Sequence, residues 1–102
     1  MFIGKITGTV VATQKTATVV GKKLLLVEAM TVKGSPATLQ SSGRVAIAVD
    51  TVGAGEGELV IVTQGSSARL TDSTSNVPTD AVVIGIIDAI QAGNTELFKK
   101  QN

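Results

Sequence analysis

The stretch RVAIAVDTVGAGEGELVIVT, residues 44–63, determines the fold class of this chain. In its first part Val45, Ile47 and Val49 alternate with small alanines, and after the glycines the run ELVIVT, residues 58–63, is again rich in β-branched side chains. An alternation with a period of two and a β-branched composition are typical of β-strands, because these side chains pack well on a pleated surface. The stretch therefore predicts two strands joined by a glycine-rich turn.

Working outward from this stretch, the same patterns predict an all-β chain. The predicted strands cover residues 2–13, 22–29, 44–50, 58–63 and 80–90, and a short closing strand covers residues 96–99. In the first strand, alternation places five residues on one face, namely Phe2, Gly4, Ile6, Gly8 and Val10. Gly85, in the middle of the last long strand, predicts a bend or a bulge.

Turn residues and caps predict what lies between the strands. Residues 31–43 (TVKGSPATLQSSG) contain two glycines and a proline and predict a loop, and the polar residues 71–76 predict a second one. The segment GSSARL, residues 65–70, predicts one short α-helix, because a serine can cap its first turn. Short strands with one brief helix predict a small β-barrel of the OB type, and 102 residues fit a single domain over the whole chain, 1–102.

Composition argues against several classes of function. Nine basic and eight acidic residues give a net charge of +1, and the only aromatic residues are Phe2 and Phe98. That balance gives no electrostatic reason to expect nucleic acid or a membrane surface as a partner, and it leaves few rings on which bases could stack. Without Cys or His the chain lacks thiolate ligands, the commonest metal ligand and the commonest general base. No metal and no cofactor are expected.

The two ends of the chain carry no pattern of export or membrane insertion. Residues 1–10 lack the basic segment and the continuous apolar run of a signal peptide, and the apolar run at residues 81–87 is too short to span a bilayer. We therefore expect a cytoplasmic protein.

The glycine-rich segment VGAGEGE, residues 52–58, is the most conspicuous motif. A dinucleotide fingerprint needs a third glycine where this chain has Glu58, and it needs a helix where this chain has a strand. A flexible strand-to-strand turn is the simpler interpretation. A third interpretation is that several copies of the segment crowd around a symmetry axis, where only small residues fit.

Other polar residues offer weak candidates for chemistry. Ser66 and Ser67 could bind an anion through free backbone N–H groups, but capping is the commoner use of such a sequence, and no histidine is present to activate either hydroxyl. The carboxylates could form an acid/base pair or a cation site, although they more often end strands or pair with arginine; they are Asp50, Glu56, Glu58 and Asp88.

Three linked segments resemble the EutN/CcmL family, the pentameric vertex proteins of bacterial microcompartment shells. The similar segments are GTVVATQK (8–15) with GKKLLLV (21–27), AVDTVGAGEGE (48–58) with GSSAR (65–69), and DAVVIGIID (80–88). The resemblance implies a five-stranded OB-like barrel with one short helix and no enzymatic activity. It also implies a homo-pentamer that closes shell vertices among hexameric microcompartment shell proteins.

Within this interpretation two segments are assigned to the assembly. The predicted axis or pore loop consists of Gly53, Ala54, Gly55, Glu56 and Gly57. The predicted subunit interface consists of Ser66, Ser67, Ala68 and Arg69. Two rivals remain. An OB-like module that binds a small ligand or an oligomer would be a monomer or dimer, and an enzyme based on Asp50 or Glu58 would contain close carboxylates with a raised pKa.

Overall fold

The structure is a computed structural model that describes residues 1–13, 21–71 and 80–101. The elements in this part of the chain are β1 (Phe2–Val10), β2 (Leu24–Lys33), β3 (Thr38–Asp50), β4 (Leu59–Gln64), a 3₁₀-helix (Gly65–Arg69), β5 (Ala81–Ile86), β6 (Ala89–Ala92) and β7 (Thr95–Lys99). Five strands close a barrel in the order β1-β2-β3-β5-β4, and β6 and β7 form a separate two-stranded sheet. The predicted all-β barrel is confirmed.

The barrel interior is filled by aliphatic side chains from all five strands. The buried cluster consists of Ile6, Leu25, Val27, Ala48, Ala54, Val60, Val62, Ala81 and Val83. Gly4 lies where β1 crosses this core, and a Cβ atom there would overlap a methyl group of Val27 and crowd Val62. A side chain is therefore excluded at residue 4 by close packing, and the glycine lets three strands approach one another.

A bulge in β1 corrects the predicted face of its second half. Ile6 lies opposite Val27, whereas Gly8 lies opposite Leu26, so the register shifts by one residue between them. Because side chains alternate with a period of two, this shift turns Gly8 away from the face that Gly4 and Ile6 share. The single face predicted from Phe2 to Val10 is wrong beyond Ile6.

The predicted loop at residues 31–43 is also wrong, because most of it forms a hairpin arm. β2 continues to Lys33 and β3 starts at Thr38, with the pairs Val32↔Leu39 and Lys33↔Thr38 next to the turn. The Thr38 hydroxyl donates to the Lys33 carbonyl at 3.1 Å. Backbone ladders do not require apolar side chains, so a polar sequence can form this arm. The molecule that carries this arm is elongated, with principal extents of 47 × 27 × 23 Å.

Residues 80–90 form two strands where one was predicted. β5 ends at Ile86, the Ile87 N–H donates to the Leu59 carbonyl at 2.8 Å, and β6 begins after Asp88. The bulge predicted at Gly85 is confirmed, because the pairing of β4 with β5 shifts between Gly85 and Val83. β7 confirms the short closing strand.

The predicted short helix is present at residues 65–69, but it is a 3₁₀-helix of five residues and not an α-helix. Runs of this tighter helix are short because its hydrogen-bond geometry is poorer. The predicted loop at 71–76 lies, beyond Thr71, outside the described residues. Within the described residues, no helix has the length and apolar character needed to cross a membrane.

Candidate functional site

The glycine loop, residues 51–58, connects β3 to β4, and the Asp50 carboxylate fixes its first half. Asp50 Oδ1 accepts hydrogen bonds from the N–H groups of Val52 and Gly53 at 3.0 and 3.1 Å, and Oδ2 accepts one from Ala54 at 3.0 Å. The Asp50 side chain is 2% exposed, and Lys23 Nζ lies 3.6 Å from Oδ2. A buried carboxylate that accepts three backbone N–H groups strongly favours one loop conformation.

Glu58 fixes the second half of the same loop. Its Oε1 accepts a hydrogen bond from the Gly55 N–H at 2.6 Å, and its Oε2 accepts one from the Lys100 ammonium at 3.0 Å. The Glu58 N–H donates back to the Gly55 carbonyl at 3.2 Å. The loop also attaches to β1, because the Gly57 N–H donates to the Ile6 carbonyl at 2.7 Å. These bonds argue against a flexible turn.

The electrostatics of this loop do not match an acid/base site. The Gly55 N–H, followed by Lys100, lowers the pKa of Glu58 below its ordinary value of 4.5. An enzyme based on Asp50 or Glu58 would need a raised pKa in at least one of them, and Glu58 is shifted in the opposite direction. Both carboxylates are already engaged by loop N–H groups and lysines. Among the described residues, no group of three or more potential ligands could hold a metal ion.

The residues of the predicted axis loop do not all face the same way. Ala54 is fully buried in the barrel core, so its methyl group packs within the protomer. Gly53, Glu56 and Gly57 are exposed, and Gly55 is partly exposed. Gly53 and Gly57 have φ angles of +78° and +89°, a region that disfavours other residues. The exposed part of the loop therefore presents backbone and one carboxylate side chain.

The predicted interface segment is likewise divided between core and surface. Ala68 is fully buried and packs with Val49 and Val82 in a second, smaller cluster outside the barrel. Ser66 is exposed, and Leu70, directly after the 3₁₀-helix, is 82% exposed. The side chains of Ser67 and Arg69 lie outside the described part of the structure.

An exposed apolar surface that was not predicted from the sequence lies on β2 and β3, and we call it the outer β2–β3 face. It consists of Leu26, Val32, Leu39, Val45 and Ile47. Val32, Val45 and Ile47 are 41%, 59% and 53% exposed. The alternation in residues 44–50 contains the signal, but it does not say which face is inside. The structure shows that Ala48 is buried in the core, that Val45 and Ile47 face outward, and that Val49 is buried in the second cluster.

Two small clefts lie among the residues that the structure describes. One cleft of about 240 Å³ lies at the start of β1, where the Arg44 guanidinium sits 5.9 Å from the centre of the Phe2 ring. A second cleft of about 240 Å³ lies near the end of β1 and the start of β2. Ligand pockets commonly measure about 300–1,000 Å³, so neither cleft favours a dedicated small-ligand site.

Comparison with known proteins gives one consistent family. The family described as "Ethanolamine utilisation protein EutN/carboxysome" matches residues 1–88. The bacterial microcompartment shell vertex protein GrpN of Rhodospirillum rubrum (strain F11) is 45% identical over 94 residues, which cover 92% of this chain and 100% of that protein.

Solved structures agree over nearly the whole chain. The carboxysome subunit CcmL has a TM-score of 0.89 at 42% identity and covers 99% of this chain and 100% of its own. The pentameric microcompartment shell protein GrpN from Rhodospirillum rubrum has a TM-score of 0.75 at 44% identity, covering 92% of this chain and 100% of its own. The barrel, the glycine loop and these similarities together show that the chain belongs to the EutN/CcmL family.

Proposed function

We propose that this chain is a structural protein whose copies assemble into a ring of five and close the vertices of a bacterial microcompartment shell. The observation that carries the proposal is the outer β2–β3 face, where Val45 and Ile47 are each more than half exposed in the isolated protomer. An apolar strand face left in water is typical of a surface that another protein covers. A pentameric relative of known structure makes a second copy the natural partner.

A closed ring requires two different patches on each protomer, because its contacts are heterologous. We assign the outer β2–β3 face to one patch. The segment Ser66, Ser67, Ala68 and Arg69, with exposed Leu70 directly after it, is assigned to the patch on the neighbouring copy. The buried Ala68 contributes by fixing the 3₁₀-helix on the barrel.

The glycine loop is assigned to the ring axis. Gly53, Gly55 and Gly57 add no side chains to the loop, and Glu56 is the exposed side chain between residues 53 and 57. The hydrogen bonds to Asp50 and Glu58 support this assignment, because a loop that meets four copies of itself needs a defined shape. Ala54 belongs to the protomer core and supports the loop from beneath.

The remaining features of the proposal follow from charge and site chemistry. We propose a single domain without catalytic activity or cofactor, located in a microcompartment shell in the cytoplasm. Its partners are copies of itself and hexameric shell proteins, and neither nucleic acid nor membrane is involved. The net charge of +1 and the engaged carboxylates of the glycine loop support this.

The test is shell closure in a co-expression experiment. A hexameric shell protein is produced with a fluorescent cargo, either alone, with this chain, or with the Ile47→Asp variant. We expect cargo protected from added protease only with the unmodified chain, because a charge on the outer β2–β3 face prevents ring formation. Equal protection without the chain, or with the variant, would contradict the proposal.

A further inference from the structure

The C-terminal hairpin reaches the glycine loop through one side chain. β6 and β7 form their own sheet and add no strand to the described barrel. At the base of this hairpin the Lys100 N–H donates to the Asp88 carbonyl at 2.7 Å, and the Lys100 ammonium donates to Glu58 Oε2 at 3.0 Å. Lys100 therefore joins the hairpin to the loop. It lies outside residues 1–88, the part of the chain that matches the family description, although individual relatives match nearly the whole chain.

Glu58 transmits this contact to the loop backbone. The carboxylate holds Lys100 with one oxygen and the Gly55 N–H with the other, at 2.6 Å. Because Lys100 holds the carboxylate, it also holds the direction of the Gly55 N–H, which begins the second half of the loop. The first half of the loop does not depend on the hairpin, because it is bonded to Asp50 within the barrel.

We propose that Lys100 is a positioning residue, and that the β6–β7 hairpin is a brace that sets the glycine loop through Glu58. The consequence for the ring axis depends on the proposed function above, since it requires the loop to lie at that axis. The effect of Lys100 on the conformation of the loop does not depend on the proposed function.

The brace is accessible to solvent, unlike the Asp50 contact. The side chains of Lys100 and Glu58 are 37% and 27% exposed, compared with 2% for Asp50. Salt screens exposed charges much more than buried ones, so ionic strength should loosen the second half of the loop before the first. The other charged groups that act on the pair are Lys23, on the side of Glu58, and Asp88, on the side of Lys100.

The test uses the full chain and three variants, two at Lys100 and one at the neighbouring Lys99. Lys100→Met removes the charge and keeps an extended apolar stem, Lys100→Arg restores a cation, and Lys99→Met is the matched control on β7. Amide hydrogen exchange by NMR is measured at Gly55, bonded to Glu58, and at Ala54, bonded to Asp50. A carbon-detected titration gives the pKa of the Glu58 carboxyl in each variant.

In Lys100→Met we expect Gly55 to exchange about two- to five-fold faster than in the unmodified chain, the range expected for loss of an exposed ion pair, with Ala54 unchanged. The pKa of Glu58 should rise only part of the way to its ordinary value, because the Gly55 N–H is the larger cause of its lowering. Lys100→Arg should restore both readouts, and added salt should accelerate Gly55 exchange in the unmodified chain and not in Lys100→Met.

Unchanged Gly55 exchange and an unchanged Glu58 pKa in Lys100→Met would overturn the brace, as would equal effects from Lys99→Met. The number of copies in the unmodified protein is measured separately on the same sample. A monomer whose Gly55 exchange depends on Lys100 would refute the proposed ring and support the brace. A pentamer whose Gly55 exchange does not depend on Lys100 would support the ring and refute the brace.

Discussion

Replacing Ile47 with alanine removes apolar surface from the outer β2–β3 face while leaving the barrel core intact. Ile47 lies opposite Leu26 on the outside of the barrel, and its side chain is 53% exposed in the protomer. If the neighbouring copy covers this face, the variant loses contacts in the ring that it never makes within the protomer. Ring stability should therefore fall while protomer folding changes little.

The size of the effect follows from the exposed fraction. Full burial of an isoleucine side chain contributes about 1.5–3 kcal/mol, so the half that remains exposed can contribute about 1 kcal/mol at each subunit contact. A ring has one such contact for each of its five copies, which gives about 5 kcal/mol per ring. Because dissociation into five protomers depends on the fourth power of concentration, the midpoint concentration should rise about eight-fold.

The assay is a dilution series followed by mass photometry or analytical ultracentrifugation, with circular dichroism to confirm that the variant remains folded. Val11→Ala is the matched control, because Val11 is 88% exposed and lies outside the outer β2–β3 face. The control should dissociate at the same concentration as the unmodified chain. An Ile47→Ala midpoint that coincides with the control, in a folded protein, would refute the assignment of this face.

Three further predictions concern the fold and the loop. Gly4→Ala should lower the free energy of unfolding by about 1–3 kcal/mol, because the added methyl group overlaps Val27. Gly8→Ala should change it by less than about 1 kcal/mol, because the nearest neighbour of the added methyl group is 4.0 Å away, and equal effects of the two variants in denaturant unfolding would contradict the packing. Asp50→Asn should cost about 1.5–3 kcal/mol in the same assay, since a carboxylate bonded to three N–H groups becomes an amide, and a neutral result would show that these bonds are weak. Ala68→Leu should cost about 1–3 kcal/mol by overpacking, and unchanged stability would mean that the second cluster is loosely packed.

Much of the barrel was predictable from side-chain periodicity. Residues 44–50 and 58–63 alternate or repeat β-branched side chains, and both segments lie in observed strands except for Glu58, which precedes β4. Side-chain periodicity does not predict structure that depends on the backbone alone. The arm around Val32 and Leu39 is held by pairing of its peptide groups, which leaves no pattern in the side chains. Its turn residues and polar composition therefore led to the prediction of a loop. The bulge after Ile6 inverts a face without changing the composition of the strand.

The candidate site was predictable in position and not in its internal contacts. The glycine loop was correctly placed between two strands, and the 3₁₀-helix occurs where a capped helix was expected. The sequence does not show that Ala54 faces the core, because that direction depends on how the loop closes over the barrel. It also does not bring Lys100 to Glu58, since 42 residues separate them and only the folded hairpin joins them.

The most direct test of the central claim is the native mass of the purified, unmodified chain, measured at several concentrations and at physiological salt. The account predicts a species of five times the chain mass that dissociates only on strong dilution. A stable monomer at every concentration tested, with the barrel folded, would contradict the account, because the outer β2–β3 face would then remain uncovered in solution.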